Sequence, residues 1–178
     1  IIGGLTKEMA DFTGLKEGTP ICAGAGDTMQ SMLGCGLIEK NMAADVAGTC
    51  AMFCVSTDGI KPELSSAETG LIFNSGTLEN TYFYWGFIRT GGLALRWFRD
   101  NICDKAGDDS YFDLLSKKAE EVPAGSKGVL FLPYLTGGNN ESPDACGCFV
   151  NMTMDTDQKT LWRSVLEGIG YDYMGVTD

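Results

Sequence analysis

Asp27 is the residue of this chain best placed to carry chemistry. It follows the turn Ala23-Gly24-Ala25-Gly26 and stands where a helical pattern begins. A carboxylate there can cap the helix, or it can face a cleft and accept a proton from a substrate hydroxyl that approaches the thin glycine backbone. The chain has no histidine, which excludes a Ser-His-Asp triad and an imidazole base. The residues themselves leave the capping role and the general-base role open.

Two further glycine motifs have the form of turns at which the backbone can approach an anion. Gly48 and Thr49 separate two apolar segments, so they predict either a hairpin turn or a turn whose amides and hydroxyl contact phosphate oxygens. Gly91 and Gly92 open a helical pattern, and helix N-termini bind anions, although most such glycines only shape the turn. Standard nucleotide fingerprints are absent, since the turn before Asp27 fits neither G-x-G-x-x-G nor a Walker A loop.

The seven cysteines give a competing interpretation, a metal or redox module. Cys50 and Cys54, or Cys146 and Cys148, can be read as pairs of thiolate ligands. Neither pair has the C-x-x-C spacing of zinc fingers and no histidine completes a ligand set, so we expect no metal site among them. Cysteines within apolar stretches, in a chain that shows no signal peptide, are typical of a reduced, cytoplasmic protein.

The composition excludes several classes of partner. With 13 Lys and Arg against 24 Asp and Glu, the net charge is −11, and we expect binding neither to nucleic acid nor to anionic membranes, both of which depend on basic residues. No apolar run reaches the roughly 18 residues of a membrane span. Glycine is the outlier at 24 of 178 residues, well above its average usage of roughly 7%. Such an excess is typical of a backbone that makes turns and close approaches.

Periodicity along the chain predicts a mixed α/β layer fold. Apolar and β-branched runs predict strands at 21–23, 42–47, 51–56, 71–73, 82–88, 128–132 and 148–152. Apolar residues at three- to four-residue spacing predict helices at 6–14, 28–36, 93–103 and 108–122, with a last helix from about residue 156. The strands on either side of Gly48 and Thr49 form a predicted hairpin. The polar loop 136–147, which contains Glu141 and Asp144, is predicted to be solvated.

The order and spacing of these motifs resemble the FGGY family of carbohydrate kinases, and among them the xylulokinase-type members most of all. The resemblance covers essentially the whole chain. It rests on collinear segments that combine glycines with a few polar and aromatic positions: Gly3-Gly4-Leu5-Thr6, Thr13-Gly14-Leu15-Lys16-Glu17-Gly18-Thr19-Pro20, Ala23-Gly24-Ala25-Gly26-Asp27, Ala47-Gly48-Thr49, Gly91-Gly92-Leu93-Ala94-Leu95-Arg96-Trp97, residues 128–137, residues 143–147 and Leu166-Glu167-Gly168.

The resemblance implies an actin-like ATPase fold of the ribonuclease-H-like type, present here in part, with a sugar and ATP bound between two domains. Asp27 would be the base that takes the proton from the attacking sugar hydroxyl, and Gly26 and Asp27 would contact the sugar. Gly48 and Thr49 would lie near the ATP phosphates, and the pair Gly91-Gly92 would form a further nucleotide-side element. Phosphoryl transfer also uses Mg²⁺, so ATP and Mg²⁺ are the implied cofactors.

The same resemblance divides the chain between two domains. Residues 1–40 would be the C-terminal tail of the first, sugar-binding domain, and residues 41–178 would be the N-terminal part of the second, nucleotide-side domain. The upstream phosphate and Mg²⁺ segment and the downstream adenosine-binding segment would then be missing, so we expect the chain alone to be inactive. The expected partner is a small-molecule sugar, and a homodimer is one alternative for the assembled protein.

The leading functional hypothesis is ATP-dependent phosphorylation of a sugar or sugar alcohol, with a ketopentose such as xylulose as the acceptor. One departure from the family pattern bears on this hypothesis. The segment Gly137-Gly138-Asn139-Asn140-Glu141-Ser142 stands where the family often has Gly-Glu-Arg-x-Pro. That departure motivates the alternative hypothesis, a non-catalytic actin-like module that binds nucleotide or serves as a scaffold.

Overall fold

The computed structural model describes residues 1–61, 70–138 and 142–177, and its first part combines two short strands with two helices. In chain order these are β1 (Gly3–Gly4), α1 (Lys7–Thr13), β2 (Pro20–Ile21) and α2 (Asp27–Gly34). The two strands pair in antiparallel fashion. The helix α1 ends at Gly14, whose φ of 75° is the left-handed conformation that glycine adopts without strain. Both helices predicted in this part of the chain are confirmed.

A four-stranded antiparallel sheet is the framework of the middle of the chain. Its strands are β3 (Ala43–Ala47), β4 (Ala51–Thr57), β5 (Ile72–Ser75) and β6 (Tyr82–Ile88), in the spatial order β3-β4-β6-β5. The strands β3 and β4 form the predicted hairpin, in which Ala47 pairs with Ala51 across the turn. The next strand in space, β6, pairs with β4 over the full length of both strands. The sheet therefore fixes the turn between β3 and β4 at one of its ends.

The helix α2 packs on this sheet through a small apolar cluster. Met32 and Leu37 bury their side chains against Cys54 of β4 and Phe83 of β6. Burial, together with the charge of Asp45, raises the pKa of the Cys54 thiol to about 11. The thiol therefore stays neutral at physiological pH and packs as a small apolar side chain. The contact ties residues 27–34 to the sheet.

The remainder of the described chain forms a second packing unit, which we call the helical lobe (residues 91–138 and 142–177). It contains α3 (Gly91–Trp97), α4 (Tyr111–Glu120), β7 (Leu130–Leu132), β8 (Cys148–Val150) and α5 (Gln158–Thr177). Its buried core is built from aromatic and aliphatic side chains of all three helices and of β7: Ala94, Phe98, Leu115, Ala119, Phe131, Trp162 and Val165. None of the helices in the described ranges is long and apolar enough to cross a membrane.

Two helices of the lobe differ from their predicted bounds, and a buried arginine lies in the region between them. The helix predicted at 93–103 is regular only to Trp97 and continues as a π-helical turn over Phe98–Ile102. Within that turn Arg99 is only 4% exposed, and it forms ion pairs with Asp100 and Asp109. A buried guanidinium needs such carboxylates, and one of them, Asp109, lies just before α4, which begins at Tyr111.

Candidate functional site

The turn between β3 and β4 meets the first turn of α3, and we call this contact the glycine junction (Gly48, Thr49, Gly91 and Gly92). The amide of Gly92 donates to the carbonyl oxygen of Gly48 at 2.9 Å, and the amide of Leu93 donates to the carbonyl oxygen of Thr49 at 3.0 Å. Two motifs that are more than forty residues apart in sequence are therefore held together by their backbones. The structure brings together these two predicted nucleotide-side elements.

The close approach of the Gly48 carbonyl oxygen explains why position 92 is occupied by glycine. A Cβ atom at position 92 would lie 2.3 Å from the Gly48 carbonyl oxygen, well inside van der Waals contact, whereas a Cβ at position 91 would meet nothing closer than 3.6 Å. The same geometry decides which backbone amides at the start of α3 remain available to a ligand. Two amides near the start of α3 are already engaged by carbonyl oxygens of the turn, so these two cannot donate to a ligand and side chains at the junction become candidates for such contacts.

Arg96 supplies one such side chain; it belongs to the Gly91–Trp97 motif of the resemblance, but no role of its own is predicted for it from the sequence. Its Nη2 donates to Thr49 Oγ1 at 2.7 Å, so α3 contacts the turn through a side chain as well as through its backbone. A signal for this contact exists in the sequence, because Arg96 follows Gly92 by four residues and the two positions share one face of a helix. Thr49 itself is exposed, and Arg96 is half-buried.

Asp27 begins α2 and lies at the same end of the sheet as the glycine junction. Gly26 precedes it in an extended conformation as the N-cap residue. The carboxylate is exposed, and its Oδ1 accepts a hydrogen bond from the Thr28 amide at 2.8 Å. The Thr28 hydroxyl in turn donates to the sulfur of Met52 at 3.1 Å. Met52 is three residues beyond Thr49 along the hairpin, so this contact links the start of α2 to the junction.

The turn before Asp27 leaves open space on its outer side. A Cβ atom at Gly24 or at Gly26 would meet no other atom within 4 Å. Gly24 has a φ of 71° and therefore needs glycine for its backbone conformation. Gly26 has no such need, because its backbone is extended and nothing in the described chain packs against it. Packing in the described chain thus leaves the surface beside Asp27 clear for a ligand.

Glu167 and Gly168, a motif of the sequence resemblance, are engaged within the fold. We call their surroundings the Glu167 anchor (Gly125, Ser126, Arg163, Glu167 and Gly168). Glu167 accepts hydrogen bonds from the Gly125 amide at 3.1 Å, the Ser126 hydroxyl at 2.7 Å and Arg163 Nε at 2.7 Å. Burial acts to raise the pKa of Glu167, but these bonds outweigh it and hold the pKa below its ordinary value. The anchor therefore supports the lobe.

Two predictions concern the polar loop and the cysteines. Glu141, with Asn139 and Asn140, lies outside the described residues, so the structure does not place the centre of the departure from the family pattern. All seven cysteines are free thiols. Within the residues that the structure describes, no three His, Cys, Asp or Glu side chains are grouped so that they could hold a metal ion.

The chain is similar in sequence to known kinases over most of its length. Residues 43–178 match the family model of the C-terminal domain of the FGGY family of carbohydrate kinases. The chain is 35% identical over 174 residues to the gluconokinase of Bacillus licheniformis, which covers 93% of this chain and 33% of that protein. It is 28% identical over 179 residues to the autoinducer-2 kinase of Escherichia coli K12, with 94% and 33% covered. The chain thus spans about a third of the length of the curated relatives it matches.

Solved structures of other proteins share the fold. The xylulose kinase of Rhodospirillum rubrum matches with a TM-score of 0.82 and 28% identity, over 97% of this chain and 34% of that one. The gluconate kinase of Lactobacillus acidophilus matches with a TM-score of 0.72 and 26% identity, over 94% and 33%. The predicted actin-like ATPase fold is confirmed by these neighbours.

Proposed function

The chain belongs to the FGGY family of carbohydrate kinases, and on that premise we propose that the full-length protein carrying it transfers the γ-phosphoryl group of ATP to a hydroxyl of a sugar or sugar derivative. The observation that carries the proposal is the family match over residues 43–178. The glycine junction supports it, because the two motifs assigned to the nucleotide by resemblance meet in one place.

Asp27 is the proposed general base. Phosphoryl transfer needs an oriented nucleophile and an acceptor for its proton, and the Asp27 carboxylate is exposed next to two glycines with open space beside them. One of its oxygens, Oδ1, accepts the Thr28 amide, which fixes the carboxylate at the helix start. The second oxygen has no hydrogen-bond partner among the described residues, and we assign to it the proton of the attacking sugar hydroxyl. Gly26, not Asp27, is the N-cap residue of α2, so the predicted capping role of Asp27 is wrong. Its second oxygen remains available for the proton.

The nucleotide side of the proposal uses the glycine junction. Thr49 is exposed at the tip of the hairpin, and Gly92 lets the backbone of α3 approach the turn closely. We place the ATP phosphates against this surface. Mg²⁺, when bound with ATP, would neutralise phosphate charge during the transfer. The described residues offer no grouped metal ligands, so the carboxylates that orient the metal are proposed to come from another part of the full-length protein.

Two acceptor classes are favoured by separate observations. A ketopentose such as xylulose is supported by the xylulose kinase of Rhodospirillum rubrum, whose structure matches with a TM-score of 0.82. A sugar acid is supported by the gluconokinase of Bacillus licheniformis, which is 35% identical to this chain. We take the ketopentose as the first acceptor to test and gluconate as the second.

The experiment measures acceptor-dependent ADP formation by the full-length protein with xylulose, gluconate and a panel of sugar alcohols. We expect one acceptor class to give turnover and Asp27→Asn to lower kcat by about 10²- to 10⁴-fold, the usual contribution of a general base. Asp11→Asn is the matched control, because Asp11 is an exposed carboxylate on α1, and it should keep parental activity.

Two results would contradict parts of the proposal. Parental turnover in Asp27→Asn would remove Asp27 as the base while leaving the kinase activity in place. ATP binding without a phosphorylated product across the whole panel would favour the alternative, a non-catalytic actin-like module.

A further inference from the structure

We propose that Arg96 is a positioning residue that sets the Thr49 hydroxyl as a hydrogen-bond donor towards the ATP phosphates and brings a cation to them; this inference rests on the proposed function. The contact that points to it is the hydrogen bond from Arg96 Nη2 to Thr49 Oγ1 at 2.7 Å. It joins residues 47 positions apart in sequence, in two different elements. The chain is folded so that this guanidinium reaches the tip of the hairpin.

The backbone of α3 fixes where the guanidinium starts. Gly92 and Leu93 donate their amides to the carbonyl oxygens of Gly48 and Thr49, and Arg96 lies one helical turn further on the same face. The hairpin turn is therefore held in two places. Its backbone is held by the amides of Gly92 and Leu93, and the Thr49 side chain is held by Arg96. Little freedom is left for the position of Thr49 relative to Arg96.

The hydrogen bond decides what the Thr49 hydroxyl can do for a ligand. A hydroxyl has one hydrogen and two acceptor lone pairs. Arg96 donates into one lone pair of Oγ1, so the hydroxyl hydrogen must point away from the guanidinium, and Thr49 is exposed. A donor held in that direction suits a ligand with acceptor atoms only, and the oxygens of a phosphate chain are of that kind.

The charge of Arg96 is met only weakly by a carboxylate: the pKa of Asp100 is lowered mainly by its ion-pair partner Arg99, and Arg96 adds to that lowering. Arg99 and Arg163 each form ion pairs with carboxylates, whereas no carboxylate of the described residues lies within ion-pair distance of Arg96. A guanidinium carries five N–H donors, and the contact with Thr49 accounts for one of them. In a chain with a net charge of −11, a cation that forms no ion pair among the described residues, at the proposed phosphate surface, favours the binding of ATP.

The test compares nucleotide binding and kinetics in the full-length protein. Arg96→Met keeps much of the apolar stem without the charge, Arg96→Lys restores the charge without the planar fork, and Arg89→Met is the control, an exposed arginine near the start of α3. We expect Arg96→Met to weaken ATP binding by about 10- to 100-fold, the range of a charged hydrogen bond, with adenosine binding unchanged. Arg96→Lys should recover part of the loss, and Arg89→Met should bind ATP as the parent does.

A second set of variants separates positioning from general charge. In a Thr49→Val background the Arg96→Met change should cost less ATP affinity than in the parent, because the two residues act through one hydrogen bond. The KM for ATP should rise while the KM for the acceptor stays constant. Equal losses for ATP and adenosine, or a full additive loss in the Thr49→Val background, would overturn the assignment of Arg96 as a positioning residue.

The outcomes for this inference and for the proposed function are distinct. A parent that phosphorylates no acceptor, but prefers ATP to adenosine through Arg96, removes the proposed function and keeps Arg96 as a phosphate-side residue. A parent that phosphorylates an acceptor, with kcat, KM and ATP affinity unchanged in Arg96→Met, removes the inference and keeps the function. A parent that binds no ATP removes both.

Discussion

The glycine junction and the Glu167 anchor share a close backbone approach at a glycine but differ in which polar groups they leave available to a ligand. In each, a helix approaches a neighbouring segment so closely that an added Cβ would lie 2.3 Å from a carbonyl oxygen: that of Gly48 for Gly92, and that of Phe131 for Gly168. Both glycines belong to motifs of the sequence resemblance. Close approach alone therefore does not identify a ligand site.

The hydrogen-bonding groups around the two glycines are used differently. In the Glu167 anchor, both carboxylate oxygens accept bonds from within the lobe, and Ser126 is fully buried. In the glycine junction, Thr49 is exposed and Arg96 forms no ion pair among the described residues. A motif whose polar groups are all engaged supports the fold, and a motif that presents unused donors can meet a ligand.

The largest expected effect comes from adding a methyl group at the two glycines. Gly92→Ala and Gly168→Ala should each lower the stability of the full-length protein by about 3 kcal/mol, since a backbone carbonyl cannot move aside as a side chain can. Only Gly92→Ala should also raise the KM for ATP, because it displaces the turn that carries Thr49. Thermal unfolding and steady-state kinetics on both variants check the comparison.

Gly170→Ala serves as the control for these substitutions. It lies in α5 two residues beyond Gly168, and a Cβ there would meet nothing within 4 Å. Alanine is the better helix former by about 1 kcal/mol, so this variant should be as stable as the parent or more so. A rise in the KM for ATP in Gly168→Ala, equal to that in Gly92→Ala, would erase the functional distinction between the two regions.

A smaller effect is expected when the charge of Glu167 is removed. Glu167 holds a turn in which Ser126 and Lys127 have φ values of 47° and 54°, a conformation that costs roughly 1–2 kcal/mol per residue outside glycine. Glu167→Gln should lower stability by about 2 kcal/mol near neutral pH, because hydrogen bonds to a carboxylate are lost. The nucleotide affinity should not change.

The stabilisation that Glu167 contributes depends on pH. The folded-state pKa of Glu167 lies below its ordinary value of 4.5, so the ionised carboxylate stabilises the fold fully above that pH. The stabilisation is lost as the pH falls through the folded-state pKa. The difference in Tm between parent and Glu167→Gln should be constant from pH 8 to 5.5 and should narrow below 4.5. A difference that widens in acid would contradict the role of the ionised carboxylate.

Local pattern was sufficient for most of the elements. The hairpin of β3 and β4 follows from two apolar segments around Gly48 and Thr49, and β6 has the predicted bounds because it is a continuous run of aromatic and β-branched residues. Thr6 and Gly14 bound α1 as capping rules predict. Each of these features is determined by residues that are close to it in sequence.

Long-range contacts were not predictable in the same way. The Arg96–Thr49 hydrogen bond joins two separate motifs, and Arg99 in the π-helical turn forms an ion pair with Asp109, ten residues further on. The left-handed conformation of Ser126 and Lys127 is held by Glu167, about forty residues further on. In each case the determining partner is distant in sequence, so local periodicity carries no signal for it.

The smallest expected effect concerns α5, which carries the Glu167 anchor and also contacts the sheet that bears the hairpin. The helix α5 carries Glu167, and six residues later the hydroxyl of Tyr173 donates to the carboxylate of Asp45 on β3, with oxygen–oxygen distances of 3.0 and 3.1 Å. The ring of Tyr173 also packs edge-on against Phe53 of β4, at 6.4 Å between centroids. Tyr173→Phe keeps the ring contact and removes only the hydroxyl, so it isolates this link between lobe and sheet.

Tyr173→Phe should lower stability by about 1 kcal/mol, the value of one net hydrogen bond. Burial and the hydrogen bond to Asp45 raise the pKa of Tyr173 to about 12, so the hydroxyl keeps its proton and the loss should be constant between pH 6 and 9. The KM for ATP should match that of the parent, because the hairpin tip is held by α3 and not by α5. Asp45→Ala is the partner variant, and its stability loss should add little to that of Tyr173→Phe, since both remove the same bond. A raised KM for ATP in Tyr173→Phe would mean that α5 transmits the state of the Glu167 anchor to the glycine junction, and the two regions would then have to be treated as one coupled unit.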